Sequence, residues 1–492
     1  MKSPELSELL AYLRQENLIQ AEEIVQPQSL GQVVSDSRQL KAGDVFIAYQ
    51  GVSFDSHETL CDMTANGAGL VILDKPKFLP DVKGFNHILV KNSRKVWAYI
   101  AAMVHGHPET RVPMYGVTGT NGKTSSAWLS QSLLKPVGKK VFVIGTMGAF
   151  LGDEFFPTRH TTPDPDELFS LLKAAADRGA DLIVMEVSSH AIVQEKLGPI
   201  RFQGVLFTSF SRDHLDFHET MEEYFDAKLQ AFRTYLEAGG AKVAHESVMP
   251  LLQAKGEERV ISYGSRGDWQ MSLQEASLDG CRLQLQYESH QCNLNVPLVG
   301  DFIVQNLVGV LILLREHWQS TSLQELLNQL STVPGRLERV QSQGSDERVV
   351  LVDYAHTPDA LEKCLASLRP LATKRLVVVF GCGGDRDRGK RPLMAQAAAR
   401  YGDHLLITSD NPRTEDPQQI IDDIVAGLPA DAKARCTVEI DRRQAIATAV
   451  GMLNPRDCLL IAGKGHEDYQ IIGKDRIDFD DRLVARDAMD NI

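Results

Sequence analysis

Tyr115-Gly116-Val117-Thr118-Gly119-Thr120-Asn121-Gly122-Lys123-Thr124-Ser125 decides how this chain is read. It runs from an apolar strand pattern through a glycine turn into a helical pattern at Ser126-Ala127-Trp128-Leu129. Strand, glycine turn and helix start together aim backbone N–H groups at phosphate oxygens. Lys123 would then offset terminal phosphate charge, and the Thr124 hydroxyl would take a Mg²⁺ position. The strict G-x-x-x-x-G-K-[ST] spacing is not met, because Val117 stands where the first glycine belongs. The competing reading is a glycine-rich turn carrying a solvent lysine.

Outward from that loop, short apolar runs alternate with helix-period segments from Val112 to about Val333, the pattern of parallel βαβ units. A break at Pro334-Gly335-Arg336 precedes a third block with the same alternation. Before the loop, a helical lead is followed by strand-like Asp44–Ala48, Leu70–Leu73 and His87–Val90. The expected fold class is α/β in three domains: a smaller α/β domain over 1–110, a central parallel-sheet ATPase domain over 111–334, and a Rossmann-like domain over 335–492. The length of 492 residues agrees with about three domains at roughly 150 residues each.

Polar residues collect where the apolar runs end. Leu182–Met185 leads into Glu186-Val187-Ser188-Ser189-His190, and Val205–Thr208 into Ser211-Arg212-Asp213-His214. In the third block, Val349–Val352 leads into Asp353-Tyr354-Ala355-His356, and Leu376–Phe380 into Gly383-Gly384-Asp385-Arg386. Leu405–Thr408 meets Asp410-Asn411-Pro412-Arg413, and Leu459–Ala462 meets Gly463-Lys464-Gly465-His466-Glu467. Open α/β sheets bind ligands at the carboxyl ends of their strands, so these positions are the candidate site. Arg386 and Arg413 can fork onto a carboxylate, and Asp410, Asn411 and Glu467 can take an ammonium group, which suits a zwitterionic amino acid. By composition alone Lys228 reads as a helix-surface lysine, and Ser37 as an ordinary turn residue.

The balance of 52 basic against 65 acidic residues gives a formal charge of −13, whose field repels nucleic acid and anionic membrane surfaces. No transmembrane run and no signal-peptide pattern are found, and the seven cysteines are scattered without metal-ligand spacing. A cytoplasmic, monomeric protein acting on small molecules is expected, with neither nucleic acid nor membrane as partner.

Thr118-Gly119-Thr120-Asn121-Gly122-Lys123-Thr124 resembles the nucleotide loop shared by Mur ligases and folylpolyglutamate synthases. The motifs at Glu186–His190, Ser211–Asp216, Asp353–Pro358 and Gly383–Asp387 look like successive signatures of one Mur subfamily, which adds the third peptide residue. Agreement runs from about Ser35 to Glu467. The resemblance implies ATP-driven addition of meso-2,6-diaminopimelate to the D-glutamate of UDP-N-acetylmuramoyl-L-alanyl-D-glutamate through an acyl phosphate.

It implies, residue by residue, that Gly119, Thr120, Asn121, Gly122, Lys123, Thr124, Ser125, Asn306, Arg336 and Asp353 bind ATP. Lys123, Glu186, His214 and Lys228 would be catalytic. Thr124 and Glu186 would serve one Mg²⁺, and His214 with an N-carboxylated Lys228 a second. Ser37, Val52, Ser53, Phe54, Thr161, Thr162, Ser188, Gln194 and Lys196 would bind the nucleotide-linked dipeptide. Lys196 stands where the family commonly has arginine, and Val52-Ser53-Phe54 departs from the loop expected there. Arg386, Asp410, Asn411, Pro412, Arg413, Gly463 and Glu467 would bind diaminopimelate, whose extra carboxylate an arginine can pair. Closure of the third domain over the other two would exclude water. The rivals are a folylpolyglutamate synthase, which would lack Asp410-Asn411-Pro412-Arg413, and a silent scaffold that keeps the fold.

Overall fold

The structure is a computed structural model that describes residues 5–26, 29–51, 54–215, 217–342 and 348–491. The chain divides into two compact units. One comprises Met1–Gly119, Gly138–Phe207 and Phe217–Lys242; the other comprises Thr120–Val137, Thr208–Asp216 and Val243–Ile492.

The first unit opens with a five-stranded sheet in the order Ile19–Glu23, His87–Val90, Leu70–Leu73, Val45–Ile47, Val33–Val34. All neighbours are parallel except Ile19–Glu23. Its three inner strands are uniformly buried, so they read as apolar runs without alternation. One face packs Ile47, Ile72 and Ile88 against Leu9 and Leu13 of the helix Leu6–Gln15, and against Ile100 of Ser93–Val104. The other face buries Phe46, Val71 and Leu73.

In the same unit the strand Met114–Thr118 lies between parallel Phe202–Phe207 and Leu182–Glu186, and Leu182–Glu186 pairs with parallel Val141–Gly145. Every residue of Met114–Thr118, Val141–Gly145 and Leu182–Glu186 is buried. Covered faces confine ligand chemistry to the strand ends.

The second unit contains the six-stranded sheet of the third block, in the order Glu338–Arg339, Val349–Asp353, Cys458–Ala462, Leu376–Phe380, His404–Ile407, Cys436–Val438. All pairs are parallel except the first. The four- and five-residue runs that end in polar motifs are therefore real strands, and all of their carboxyl ends lie at one edge of the sheet. The unit also holds an antiparallel meander, Trp269–Ser277, Gly280–Tyr287 and His290–Val296, where sequence periodicity suggested βαβ units. These strands alternate buried and exposed residues because only one face is covered. No helix among the described residues is long and apolar enough to cross a membrane.

Candidate active site

Within the second unit the phosphate loop is a set of forced backbone choices. Gly122 has φ +91° and directly precedes the helix Lys123–Leu134. A Cβ there would also lie 2.5 Å from Asn306 Oδ1, so both conformation and space require glycine. Asn306 is thereby packed against the loop. Thr120 N donates to Ser209 O at 2.8 Å and Asn121 N to Ser209 Oγ at 3.0 Å. Lys123 Nζ donates to Thr120 O at 2.9 Å. Thr124 and Ser125 are buried in the first helical turn. The helix begins at Lys123, three residues before the apolar pattern that signalled it, because its first turn carries chemistry rather than core.

His214 follows on the next polar loop with φ +54°, and its N–H donates to Asp213 Oδ1 at 2.9 Å. Asp359 collects Asn121 Nδ2 at 2.8 Å and Ser211 Oγ at 3.1 Å, a link between the loop and the helix Pro358–Leu368 that sequence gave no sign of.

Arg336 lies with its guanidinium 4.6 Å from the Tyr354 ring centre, and its buried Nε has no protein partner. Asp353 ends a strand and accepts from Leu337 N and Ala355 N, both at 2.8 Å. Burial raises the Asp353 carboxyl, with Arg336 and these N–H groups opposing.

Within the first unit, Glu186 ends its strand at 1% exposure and accepts from Thr146 N at 2.8 Å and Thr146 Oγ1 at 3.1 Å. Thr146 was not foreseen; it also meets Thr161 Oγ1 at 3.1 Å. Thr162 Oγ1 donates to Glu186 O at 2.9 Å and faces Ser188 Oγ at 3.2 Å. Lys196 pairs with Asp164 at 2.8 Å and reaches Thr162 O at 3.5 Å. Thr161, Thr162, Ser188 and Lys196 thus converge on the Glu186 strand end. Gln194 caps the short helix Ser189–Val193 nearby in sequence. Ser37 starts a 3₁₀ turn capped by Asp36, and Phe54 is exposed, while Val52 and Ser53 lie outside the described residues.

Lys228 is not a surface residue. It is 1% exposed on the helix Met221–Arg233, donates to Gly119 O at 2.8 Å, and has its Nζ 4.6 Å from the Tyr224 ring centre. It sits on the apolar stripe of Tyr224, Phe225, Leu229 and Phe232, which buries whatever occupies that position.

The third-block strand ends form one further cluster in the second unit. Gly384 must be glycine, since a Cβ would lie 1.9 Å from Pro412 O; its N–H donates to Asn411 O at 2.9 Å. Arg413, at φ +51°, donates to Gly384 O at 2.7 Å. A Cβ on Gly383 would lie 2.9 Å from Arg413 Nη1 and 3.8 Å from Arg386 Cγ, so both arginine side chains border the same glycine. Asp410 and Asn411 are buried, and Asn411 Nδ2 donates to Glu467 Oε2 at 3.0 Å. Gly463 N donates to Asp353 O at 3.0 Å, which joins this cluster to the end of the Asp353 strand.

Among the described residues no three His, Cys, Asp or Glu side chains are grouped to hold a metal ion. Glu186 and Thr124 offer the hard oxygens that Mg²⁺ prefers. Lys228 as an ammonium group offers none, and fits a cation only once carboxylated.

Residues 117–314 match the family description Mur ligase middle domain, and residues 335–465 match Mur ligase, glutamate ligase domain. A UDP-N-acetylmuramoyl-L-alanyl-D-glutamate--2,6-diaminopimelate ligase of Syntrophomonas wolfei subsp. wolfei is 38% identical over 464 residues, covering 93% of this chain and 94% of the relative. A solved structure of a ligase with that name is 33% identical, has a TM-score of 0.64 and covers 94% of this chain and 95% of its own. The MurF ligase of Thermotoga maritima in complex with ADP is 17% identical and shares the fold, at a TM-score of 0.62 over 93% of this chain and 96% of that one. The chain is thus matched along nearly its whole length, and it belongs to the Mur ligase family.

Proposed function

We propose that the protein is an ATP-dependent, ADP-forming ligase that joins meso-2,6-diaminopimelate to the D-glutamyl carboxyl of UDP-N-acetylmuramoyl-L-alanyl-D-glutamate, a step of peptidoglycan precursor synthesis. The observation that carries this reading is the pairing of Arg386 and Arg413 beside Gly383, next to the acidic group of Asp410 and Glu467. Two guanidinium groups and two carboxylates suit a ligand with two carboxylates and two ammonium groups. The names of relatives that match over more than nine-tenths of the chain support the same substrate.

In this reading the D-glutamyl carboxylate oxygen attacks the γ-phosphorus of ATP, an O–P bond forms and ADP leaves. The amine of diaminopimelate then attacks the acyl carbon, an amide bond forms and phosphate departs with the carboxyl oxygen. Gly119, Thr120, Asn121 and Gly122 cradle the phosphates, Lys123 offsets their charge, and Thr124 and Ser125 open the helix beneath them. Asn306, Arg336 and Asp353 hold the rest of the nucleotide. Thr124 and Glu186 would hold one Mg²⁺, and His214 with a carboxylated Lys228 a second, and the metal would supply charge neutralisation between the two reacting anions. Ser37, Val52, Ser53, Phe54, Thr161, Thr162, Ser188, Gln194 and Lys196 take the dipeptide substrate. Arg386, Asp410, Asn411, Pro412, Arg413, Gly463 and Glu467 take diaminopimelate. The division into domains at 1–110, 111–334 and 335–492, a cytoplasmic location and a monomeric state belong to the same proposal.

The test is phosphate release with each substrate omitted in turn. Release is expected only when ATP, Mg²⁺, the UDP-linked dipeptide and diaminopimelate are all present. Release that ignores diaminopimelate, or its absence from the full mixture, overturns the reading.

A further inference from the structure

Lys464 is a fully buried cation beside the amino-acid cluster, on a strand end whose neighbours Gly463 and Glu467 are already assigned to substrate. Its Nζ donates to Asn411 Oδ1 at 3.2 Å and to Glu467 Oε2 at 3.0 Å. Asn411 Nδ2 closes the triangle on the same Glu467 oxygen at 3.0 Å. Nζ also lies 5.3 Å from the Tyr469 ring centre. A cation removed from water costs several kcal/mol, and it persists only where pairing is close and well directed.

The backbone on either side is held separately, by a second buried cation. Arg442 forks onto Asp481 at 2.8 and 2.7 Å, both side chains having no exposure. The same guanidinium reaches Ser409 O at 3.4 Å and Ala462 O at 3.1 Å, the carbonyls immediately before Asp410 and Gly463. Arg442 therefore anchors the main chain of both loops, and Lys464 governs the side chains.

The triangle uses up particular hydrogen-bonding positions. Asn411 Oδ1 accepts from Lys464 and also from Ile471 N at 3.0 Å, which fills its two acceptor positions. Its oxygen has no capacity left for a substrate ammonium group. Asn411 Nδ2 has one N–H committed to Glu467, and its second N–H is suited to a carboxylate. Glu467 Oε2 accepts from Lys464 and from Asn411, so an ammonium group must be received at Glu467 Oε1.

We propose that Lys464 is a positioning residue for the amino-acid substrate: by saturating Asn411 Oδ1 and Glu467 Oε2 it fixes both side chains, turning Glu467 Oε1 toward the ligand's ammonium group and an Asn411 N–H toward its carboxylate. The inference rests on the diaminopimelate reading above. It assigns Asn411 to the carboxylate end rather than to the ammonium end.

The test uses the full-length protein and initial rates with diaminopimelate, ATP and the UDP-linked dipeptide varied in turn. Lys464→Gln is expected to raise the diaminopimelate KM about tenfold, with the ATP and dipeptide KM values within about twofold. The double variant Lys464→Gln/Glu467→Gln is expected to lose less than the sum of the two single variants, because the two changes share one carboxylate. An unchanged diaminopimelate KM, an equal rise in all three KM values, or additive losses would overturn the proposal. Should Lys464→Gln fail to fold, Asn411→Ala removes one side of the clamp while leaving Lys464 paired to Glu467. It is expected to raise the diaminopimelate KM about threefold or more. An unchanged value there overturns the proposal as well. Wild-type protein that makes no product from diaminopimelate defeats the activity reading instead, so the two failures are distinguishable.

Discussion

Lys228 illustrates how one position decides a chemistry. As an ammonium group it donates to Gly119 O, at the entry to the phosphate loop, and cannot ligate a cation. Carboxylation would turn it into an oxygen ligand. Lys228→Arg keeps the positive charge and cannot be carboxylated, so turnover is expected to fall at least about 100-fold while thermal stability changes little, as judged by rates and melting. Retention of near-wild-type turnover would assign Lys228 a purely cationic role. Asp166 offers a separate test at this scale. Burial pushes its carboxyl from 3.8 up to about 6, against a hydrogen bond from Trp97 Nε1 at 3.0 Å and with Asp164 adding to the rise. A raised folded-state value means the stabilising contribution is complete below about pH 4 and is lost as pH rises through about 6. Asp166→Asn is therefore expected to be more stable than wild type by about 1–2 kcal/mol at pH 8, the gap narrowing below about pH 6 and closing near pH 4 in denaturant titrations. The burial of Lys228 was legible in principle, since it lies four residues from both Tyr224 and Phe232. The burial of Asp166 was not, because its partner Trp97 is far away in sequence.

The phosphate loop works because backbone geometry precedes side-chain chemistry. Gly122→Ala would place a Cβ 2.5 Å from Asn306 Oδ1 at φ +91°. A loss of about 1–3 kcal/mol in stability and about a tenfold rise in the ATP KM are expected, read by melting and by initial rates. Arg442→Met would leave Asp481 buried without its counter-charge, and is expected to cost about 3–5 kcal/mol in chemical denaturation. Strands covered on both faces were easy to read, since Leu376–Phe380 and Leu182–Met185 are unbroken apolar runs. The meander Trp269–Val296 was missed because its strands bury one face only, as in Gly280–Tyr287, and its polar residues blurred the period. Side-chain pairings such as Asp359 with Asn121, or Thr146 with Glu186, join positions that no local pattern connects.

Across the molecule, chemistry concentrates at strand ends because parallel sheets covered on both faces leave little else for a ligand to meet. Motif order along the chain conveyed the α/β fold and the family. Which donors are already spent, as at Asn411 and Lys464, required the folded arrangement. The third-block cluster is expected to select an amino acid carrying a second carboxylate. Mass detection of the product formed with diaminopimelate and lysine in competition tests it most directly. The diaminopimelate adduct is expected to dominate by at least about 100-fold, and Arg413→Ala to narrow the ratio. Equal use of the two amino acids by the wild-type protein would contradict it.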